Sequence, residues 1–297
     1  MMATAFCPAH ITGFFKAELD KEDSKQLGSL GAGFSIQKGV KTTVSVREKT
    51  KHDISNFSIK VNGFESGDMR VSELVLSKFV SYGKFIDVTH EIDVPVGYGF
   101  GCSAAVALSL AIALNGALNY KLTKIQVAQI AHNVEVECRT GLGDVLASYH
   151  GGFEIRTKPG APGIGQVKKI NSKEKYDVII ICFNPISTKK FLKEKISTIN
   201  GLGGKMVDKL IETNDPREFQ DMSIKFARYV NVITPKMNKV INNLHRNGIK
   251  CGVALFGETI FSLVTKEEKK KVKEILNQYD DGLIISSKID NSGARLQ

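Results

Sequence analysis

Long hydrophobic runs are missing. A bilayer-spanning helix needs about 20 consecutive apolar residues, and the longest run here, 104–114, is shorter and follows a glycine-rich loop. The opening segment, MMATAFCPAHITGFF, has no basic stretch and is interrupted by Pro8 and His10, so no signal peptide is read and a cytoplasmic protein is expected. Cysteine is sparse. Its five positions (7, 102, 138, 182 and 251) contain no CxxC pair, which argues against a disulfide framework or a thiolate metal site and for reduced thiols. Repeats, low-complexity tracts and zinc-finger, RRM or helix-turn-helix signatures are also absent. Tryptophan is absent too, and that excludes nothing.

What remains is ordinary globular material: 297 residues, 42% hydrophobic and 24% charged, long enough for two domains. The formal charge of +10 admits nucleic acid, an anionic membrane or an anionic small substrate as partners. The lysines, however, fall in segments such as TKEEKKKVKEIL (265–276), where acids interleave and apolar residues recur. That pattern is a solvated helix face, so neither a nucleic-acid nor a membrane partner is expected.

The first ninety residues read as β-rich. KGVKTTVSVRE (38–48) and FSIKVNG (57–63) alternate apolar and polar positions, and DVTHEIDVP (87–95) is a further strand. A helix buried on most sides is predicted over 103–118, and a second over 123–137 with Thr123 as N-cap. VLASYHGG (145–152) reads as a short helix closed by Gly151, GGFEIRT (151–157) as a strand, and TKPGAPGIG (157–165) as a turn. A buried strand, YDVIIICFNP (176–185), opens the second half, and the domain boundary is placed between 172 and 173. Helices including 205–212 and 217–233 follow. GVALFGETIFSLV (252–264) reads as a hairpin turning near Gly257-Glu258, and a helix (265–278) and a strand (282–289) close the chain. The fold class is α+β.

The stretch PVGYGFGCSAAVALSLAIALN (95–115) runs directly from the third strand into the first helix, with glycines at 97, 99 and 101. Glycines let backbone amides approach a ligand closely. At a helix start those amides are free and carry the positive end of the dipole, so phosphate is the natural occupant. A Walker A loop is excluded because no lysine lies in 95–115, and the dinucleotide fingerprint fails because position 102 is cysteine. A thiol at a helix N-terminus is expected to have a lowered pKa and to be reactive.

Pro95, Val-Gly-Tyr, then Gly99-Phe100-Gly101-Cys102-Ser103-Ala104-Ala105 resembles the phosphate loop of the GHMP kinases, with Phe100 for the family's leucine and Cys102 for its first serine. GLGDVLASYHGG (141–152) resembles the segment around the family's catalytic aspartate, and GVALFGETIFSLV stands, degraded, where a glycine-rich segment is usual. The resemblance implies the two-domain GHMP kinase fold, with a ribosomal protein S5 domain 2-like N-terminal domain (1–172) and a ferredoxin-like C-terminal domain (173–297). It also implies a kinase using ATP and Mg²⁺. ATP binding falls to Pro95, Gly97, Gly99, Phe100, Gly101, Cys102, Ser103 and Ala104, with Ser103 a metal and phosphate ligand.

Phosphoryl transfer needs positioning and charge neutralisation more than covalent chemistry. Asp144 is the expected base and can at the same time cap the short helix that follows. For the metal carboxylate the helix offers Glu135 and Glu137. Glu135 is preferred because it shares a face with His132 and precedes Asp144 by nine residues.

AFCPAHITGFF (5–15) takes the place of the family's N-terminal Pro-Gly-(Arg/Lys) segment, without the usual basic residue. With GSLGAGFSI (28–36) and AHNVEVECRTGLGDV (131–145) it is similar to the pantoate-phosphorylating branch of the family. That likeness implies ATP-dependent conversion of (R)-pantoate to (R)-4-phosphopantoate on the route to coenzyme A. Arg156 is then a partner for the substrate carboxylate or a surface strand arginine, Ser29 is a polar contact, His132 is a polar contact or a half-buried helix histidine, and the phenylalanines of GFF either wall the gem-dimethyl carbon or belong to the core. A homodimer is expected from relatives. The alternatives are another GHMP kinase acting on a mevalonate-pathway or homoserine-type substrate, a catalytically dead binding module, or nucleic-acid binding driven by charge.

Overall fold

The computed structural model describes residues 1–64, 67–170, 172, 174–186 and 188–297. Its elements follow the chain as β1 (Met2–Glu18), β2 (Gly28–Glu48), β3 (Phe57–Gly63), α1 (Arg70–Ser77), β4 (Lys84–Ile92), α2 (Cys102–Ala117), α3 (Lys124–Cys138), α4 (Asp144–His150), β5 (Phe153–Lys158) and β6 (Gln166–Lys169). The second half continues as β7 (Asp177–Pro185), α5 (Thr188–Thr213), α6 (Pro216–Tyr229), α7 (Pro235–Arg246), β8 (Gly252–Ala254), β9 (Gly257–Val264), α8 (Lys266–Leu276), β10 (Leu283–Lys288) and β11 (Arg295–Leu296). The boundary expected between 172 and 173 falls at residue 173, which lies outside the described residues.

The first sheet has the order β11-β1-β2-β4-β3, and β5 and β6 extend it from the first half of β2. β2 is the organising strand. Its residues 40–48 pair with β4, and its residues 31–34 pair with β5. The second sheet has the order β10-β7-β9-β8, and α5 to α8 belong to the same half of the chain. In chain order that is 4-1-3-2, the ferredoxin-like arrangement. The two halves share apolar packing: Phe14 and Phe34 of β1 and β2 meet Phe219 of α6, and Phe34 meets Phe261 of β9.

Local chemistry explains the elements that carry the site. α2 is alanine-rich and leucine-rich with no charge, so it is buried around its circumference. α3 begins at a capping box, in which the Thr123 side chain accepts from the Gln126 amide and the Gln126 side chain accepts from the Thr123 amide. The turn of the β8–β9 hairpin lies at Leu255–Phe256, two residues before the expected Gly257-Glu258, with Phe256 at φ +67°.

Candidate active site

The glycine loop connects β4 to α2, and every glycine in it uses its conformational freedom. Gly97, Gly99 and Gly101 have φ of +87°, +82° and +57°, and Gly101 is the left-handed N-cap of α2. The loop's carbonyls are tied to the protein. Gly97 O accepts from the Ile186 amide at 2.8 Å, Phe100 O from the His10 amide at 3.0 Å, and Tyr98 O from the Thr259 hydroxyl at 2.9 Å. The amides of Gly99, Gly101, Cys102 and Ser103 donate to no protein acceptor among the described residues. Fixed carbonyls and free donors at a helix N-terminus make an anion cradle.

A cavity of about 380 Å³ lies on this loop. Its lining includes Gly97, Gly99, Gly101, Cys102 and Ser103 of the loop, Thr12, Phe15, Ser29, Asp144 and Arg156, and the apolar side chains Val61, Met69, Val71 and Val106. α1, which supplies Val71, was not anticipated in the sequence reading.

Ser103 and Glu135 come together across α2 and α3: the Ser103 hydroxyl donates to Glu135 Oε2 at 3.2 Å, and the Thr140 hydroxyl donates to Oε1 at 2.6 Å. Burial, joined by the negative charge of Asp144, pushes the Glu135 carboxyl up to about 7 against those two hydrogen bonds. Glu137 instead faces out and pairs with Lys78 at 3.2 Å. Glu135 and Asp144 both lie close to Gly141: a Cβ there would collide with Glu135 Oε2 and touch Asp144 Oδ2. No group of three or more His, Cys, Asp or Glu side chains among the described residues could hold a metal unaided. One hydroxyl and one carboxylate beside a polyphosphate cradle nevertheless suit Mg²⁺, which keeps waters and takes few protein ligands.

Asp144 sits at the first turn of α4 and makes no capping hydrogen bond; the N-cap is Gly143. Its Oδ1 instead accepts from His10 Nδ1 at 2.9 Å and from the Thr12 hydroxyl at 3.4 Å. Burial opposes its charge, but the His10 bond and charge, with Arg156 and Thr12, outweigh burial and hold the carboxyl below its ordinary range. Asp144 is therefore ionised at neutral pH, with 18% of its side chain exposed.

One expectation, the reactivity of Cys102, is corrected, and two residues lie outside the cavity lining. His132 is not in the cavity lining: its Nε2 donates to the Ser24 carbonyl at 3.1 Å, tying α3 to the segment ahead of Ser29. Cys102 is 7% exposed, and burial with the nearby Asp144 charge pushes its thiol up to about 12, so burial defeats the helix dipole and the thiol is not activated. Of the two GFF phenylalanines only Phe15 lines the cavity, while Phe14 packs on Phe219 and Phe226. Ser29 and Arg156 do line it, and both lie close to Gly143, where a Cβ would strike the Ser29 hydroxyl and come within 2.7 Å of Arg156 Nε. Arg156 donates to Glu154 Oε1 at 2.7 Å, and its buried Nε has no partner among the described residues. The sequence alone assigns no role to His10, Thr12 or Glu154. Their only signal was a histidine where a lysine or arginine was expected.

A glycine-rich anion cradle, a Ser–Glu pair and an ionised aspartate on this two-sheet fold define a small-molecule kinase. Residues 69–152 match the family described as GHMP kinases N terminal domain, and the chain belongs to the GHMP kinases. Among curated proteins it is 34% identical to a pantoate kinase of Methanocaldococcus jannaschii, over 91% of this chain and 96% of that protein. It is 31% identical to a pantoate kinase of Thermococcus kodakarensis, over 93% and 92%. A solved structure described as a phosphotransferase related to the CoA biosynthesis pathway superposes with a TM-score of 0.89 at 28% identity, covering 100% of this chain and 99% of that one. A mevalonate diphosphate decarboxylase from Staphylococcus aureus shares the fold at a TM-score of 0.70 and 15% identity, over 100% and 98%. No helix among the described residues is long and apolar enough to cross a membrane.

Proposed function

We propose that the protein transfers the γ-phosphoryl group of ATP to the 4-hydroxyl of (R)-pantoate, releasing ADP and (R)-4-phosphopantoate. The observation that carries the chemistry is the row of amides from Gly99 to Ser103, without a protein acceptor among the described residues, in the same cavity as an ionised Asp144. For the substrate, the support is identity of 31–34% to pantoate kinases across more than nine tenths of the chain.

The amides of the loop hold the β- and γ-phosphates, and the apolar wall of Val61, Met69, Val71 and Val106 suits a nucleobase. Ser103 and Glu135 are the residues to hold Mg²⁺, which supplies neutralisation of phosphate charge. The substrate alcohol lies against Asp144, which orients it and accepts its proton as the new O–P bond forms and the bond to the β-phosphate oxygen breaks. A carboxylate of low basicity suffices, because the attacking oxygen carries little charge in a loose transition state.

Arg156 Nε and the Ser29 hydroxyl present donors to the pantoate carboxylate and 2-hydroxyl, and Phe15 faces the gem-dimethyl carbon. His132 acts at one remove, by holding the 24–27 segment that leads to Ser29. The test offers the purified protein pantoate, mevalonate, homoserine and shikimate with Mg·ATP. Turnover of pantoate above the others is expected. Turnover of another alcohol and none of pantoate overturns the substrate reading while leaving the kinase.

A further inference from the structure

Four charged side chains form a file across the first sheet. Arg156 NH1 donates to Glu154 Oε1 at 2.7 Å, Glu154 Oε1 also meets His10 Nε2 at 2.9 Å, and His10 Nδ1 meets Asp144 Oδ1 at 2.9 Å. The His10 and Glu154 side chains are fully buried, and the two ends of the file, Asp144 and the 1%-exposed Arg156, line the cavity.

A neutral imidazole has one N–H and can donate to one carboxylate. Both ring nitrogens of His10 face carboxylate oxygens, so the species that satisfies both is the imidazolium. The file then alternates in sign, plus at Arg156 and His10, minus at Glu154 and Asp144, and sums to zero. Neutrality and mutual hydrogen bonding are what make such burial tolerable.

The backbone is cut to fit this contact. His10 is on β1 and Glu154 on β5, with β2 between them; Gly33 pairs with both Thr12 and Glu154. A Cβ at Gly33 would overlap the Nε2 and Cε1 positions of His10. The ring therefore crosses β2 through the gap left by a glycine, in a strand interior where glycine is otherwise a cost.

We infer that His10, anchored by Glu154, is a positioning residue that holds Asp144 Oδ1 and leaves Oδ2 for the hydroxyl of the phosphoryl acceptor. The inference rests on the reading of Asp144 as the group that meets that hydroxyl. Oδ2 accepts no hydrogen bond among the described residues. An imidazolium has no free lone pair, so His10 cannot be the base itself, and the proton passes no further than Asp144 before leaving with product or solvent. Around His10 the other facing groups are Thr12 on its own strand, Asp144 on α4, and Glu154 with Arg156 on β5. Lys169 of β6 acts on Glu154 by charge, and Glu154 in turn acts on His150 of α4, which burial keeps less basic than an ordinary histidine. Burial disfavours a charged His10, but the bonds to Asp144 and Glu154 overcome it and leave the ring more basic than an ordinary histidine.

The test reads the ring directly. Imidazole ¹⁵N spectra of the wild-type protein, with His10 assigned by loss of its signals in His10→Gln, are expected to show both nitrogens protonated at pH 7–8. A singly protonated ring at pH 7 overturns the inference without any need for a folded variant. Kinetics supply the second arm. Glu154→Gln is expected to lower kcat roughly 10- to 100-fold at pH 8, to leave KM for ATP within about twofold, and to move the alkaline limb of the kcat profile downward by about a pH unit or more. His10→Lys is expected to recover part of the loss seen in His10→Gln. A Glu154→Gln protein with reduced Tm but an unchanged pH profile means a merely structural role and overturns the inference. If pantoate is not turned over but another alcohol is, only the substrate reading fails, and the same profile is measured with that alcohol.

Discussion

Glu135 makes the folded protein pH-sensitive in a direction opposite to most carboxylates. Its ordinary value is 4.5, and burial raises it to about 7 in the fold. Below pH 4.5 it is protonated in both the folded and unfolded chain and costs nothing. Between 4.5 and 7 the unfolded chain releases the proton while the fold retains it, so stability falls as pH rises. Above 7 the penalty levels off; a gap from 4.5 to about 7, at about 1.4 kcal/mol per unit, makes it about 3 kcal/mol. Glu135→Gln keeps one acceptor oxygen for one of the Thr140 and Ser103 hydroxyls, turns an NH₂ donor toward the other, whose oxygen can accept, and cannot ionise. Allowing for the weaker hydrogen bonds of an amide, it should stabilise the metal-free protein by about 2 kcal/mol at pH 8, a Tm rise of roughly 3 °C for a chain of this length. At pH 4.5–5 the two proteins should melt together. The variant should also lose at least about 100-fold in Mg²⁺-dependent kcat, gaining stability where the active protein gives it up. Calorimetry at pH 5 and pH 8 in chelator is the assay. A Glu135→Gln protein that melts below wild type at pH 8, or above it equally at both pH values, refutes the reasoning.

Other perturbations probe the loop and the base. Gly99→Ala places a Cβ on the Leu255 carbonyl at φ +82°, costing about 2–4 kcal/mol of stability. It should also raise KM for ATP at least about tenfold, because the hairpin turn must move off the cradle; unchanged Tm and KM contradict the packing. Asp144→Asn should lower kcat by about 10²–10⁴ with KM for ATP nearly unchanged, measured by coupled ADP release; near-full activity removes its role. Cys102 should resist alkylation at pH 8 in the native protein and react only after unfolding, since its thiol is buried and pushed up to about 12; rapid modification followed by mass spectrometry shows the opposite.

Much of this architecture was legible because its signals are local. The strand FSIKVNG coincides with β3, Thr123 caps α3 as expected, and the glycine loop runs into α2 one residue earlier than predicted. Ser103, Glu135 and Asp144 lie on or beside local motifs; Ser103 and Asp144 line the cavity, and Glu135 accepts from the Ser103 hydroxyl. What was not legible is nonlocal. β1 and β2 pair over nearly their full lengths through bulges at Pro8/Ala9 and Thr12/Phe14, which alternation alone does not reveal. The His10–Glu154 contact joins positions 144 apart in sequence and exists only through the register that puts Gly33 between them. Cys102 shows the limit of a local electrostatic rule: the dipole favours a thiolate, but burial against Val94 and Pro95 carbonyls favours the thiol. α1 is eight residues long, too short for periodicity to stand out beside the β-rich segment that precedes it.

The most direct measurement is a crystal structure with a non-hydrolysable ATP analogue, Mg²⁺ and pantoate. The account predicts the triphosphate along the amides of Gly99–Ser103 and the 4-hydroxyl of pantoate within hydrogen-bonding distance of Asp144. A triphosphate bound away from that loop, or an acceptor hydroxyl out of reach of Asp144, would contradict it.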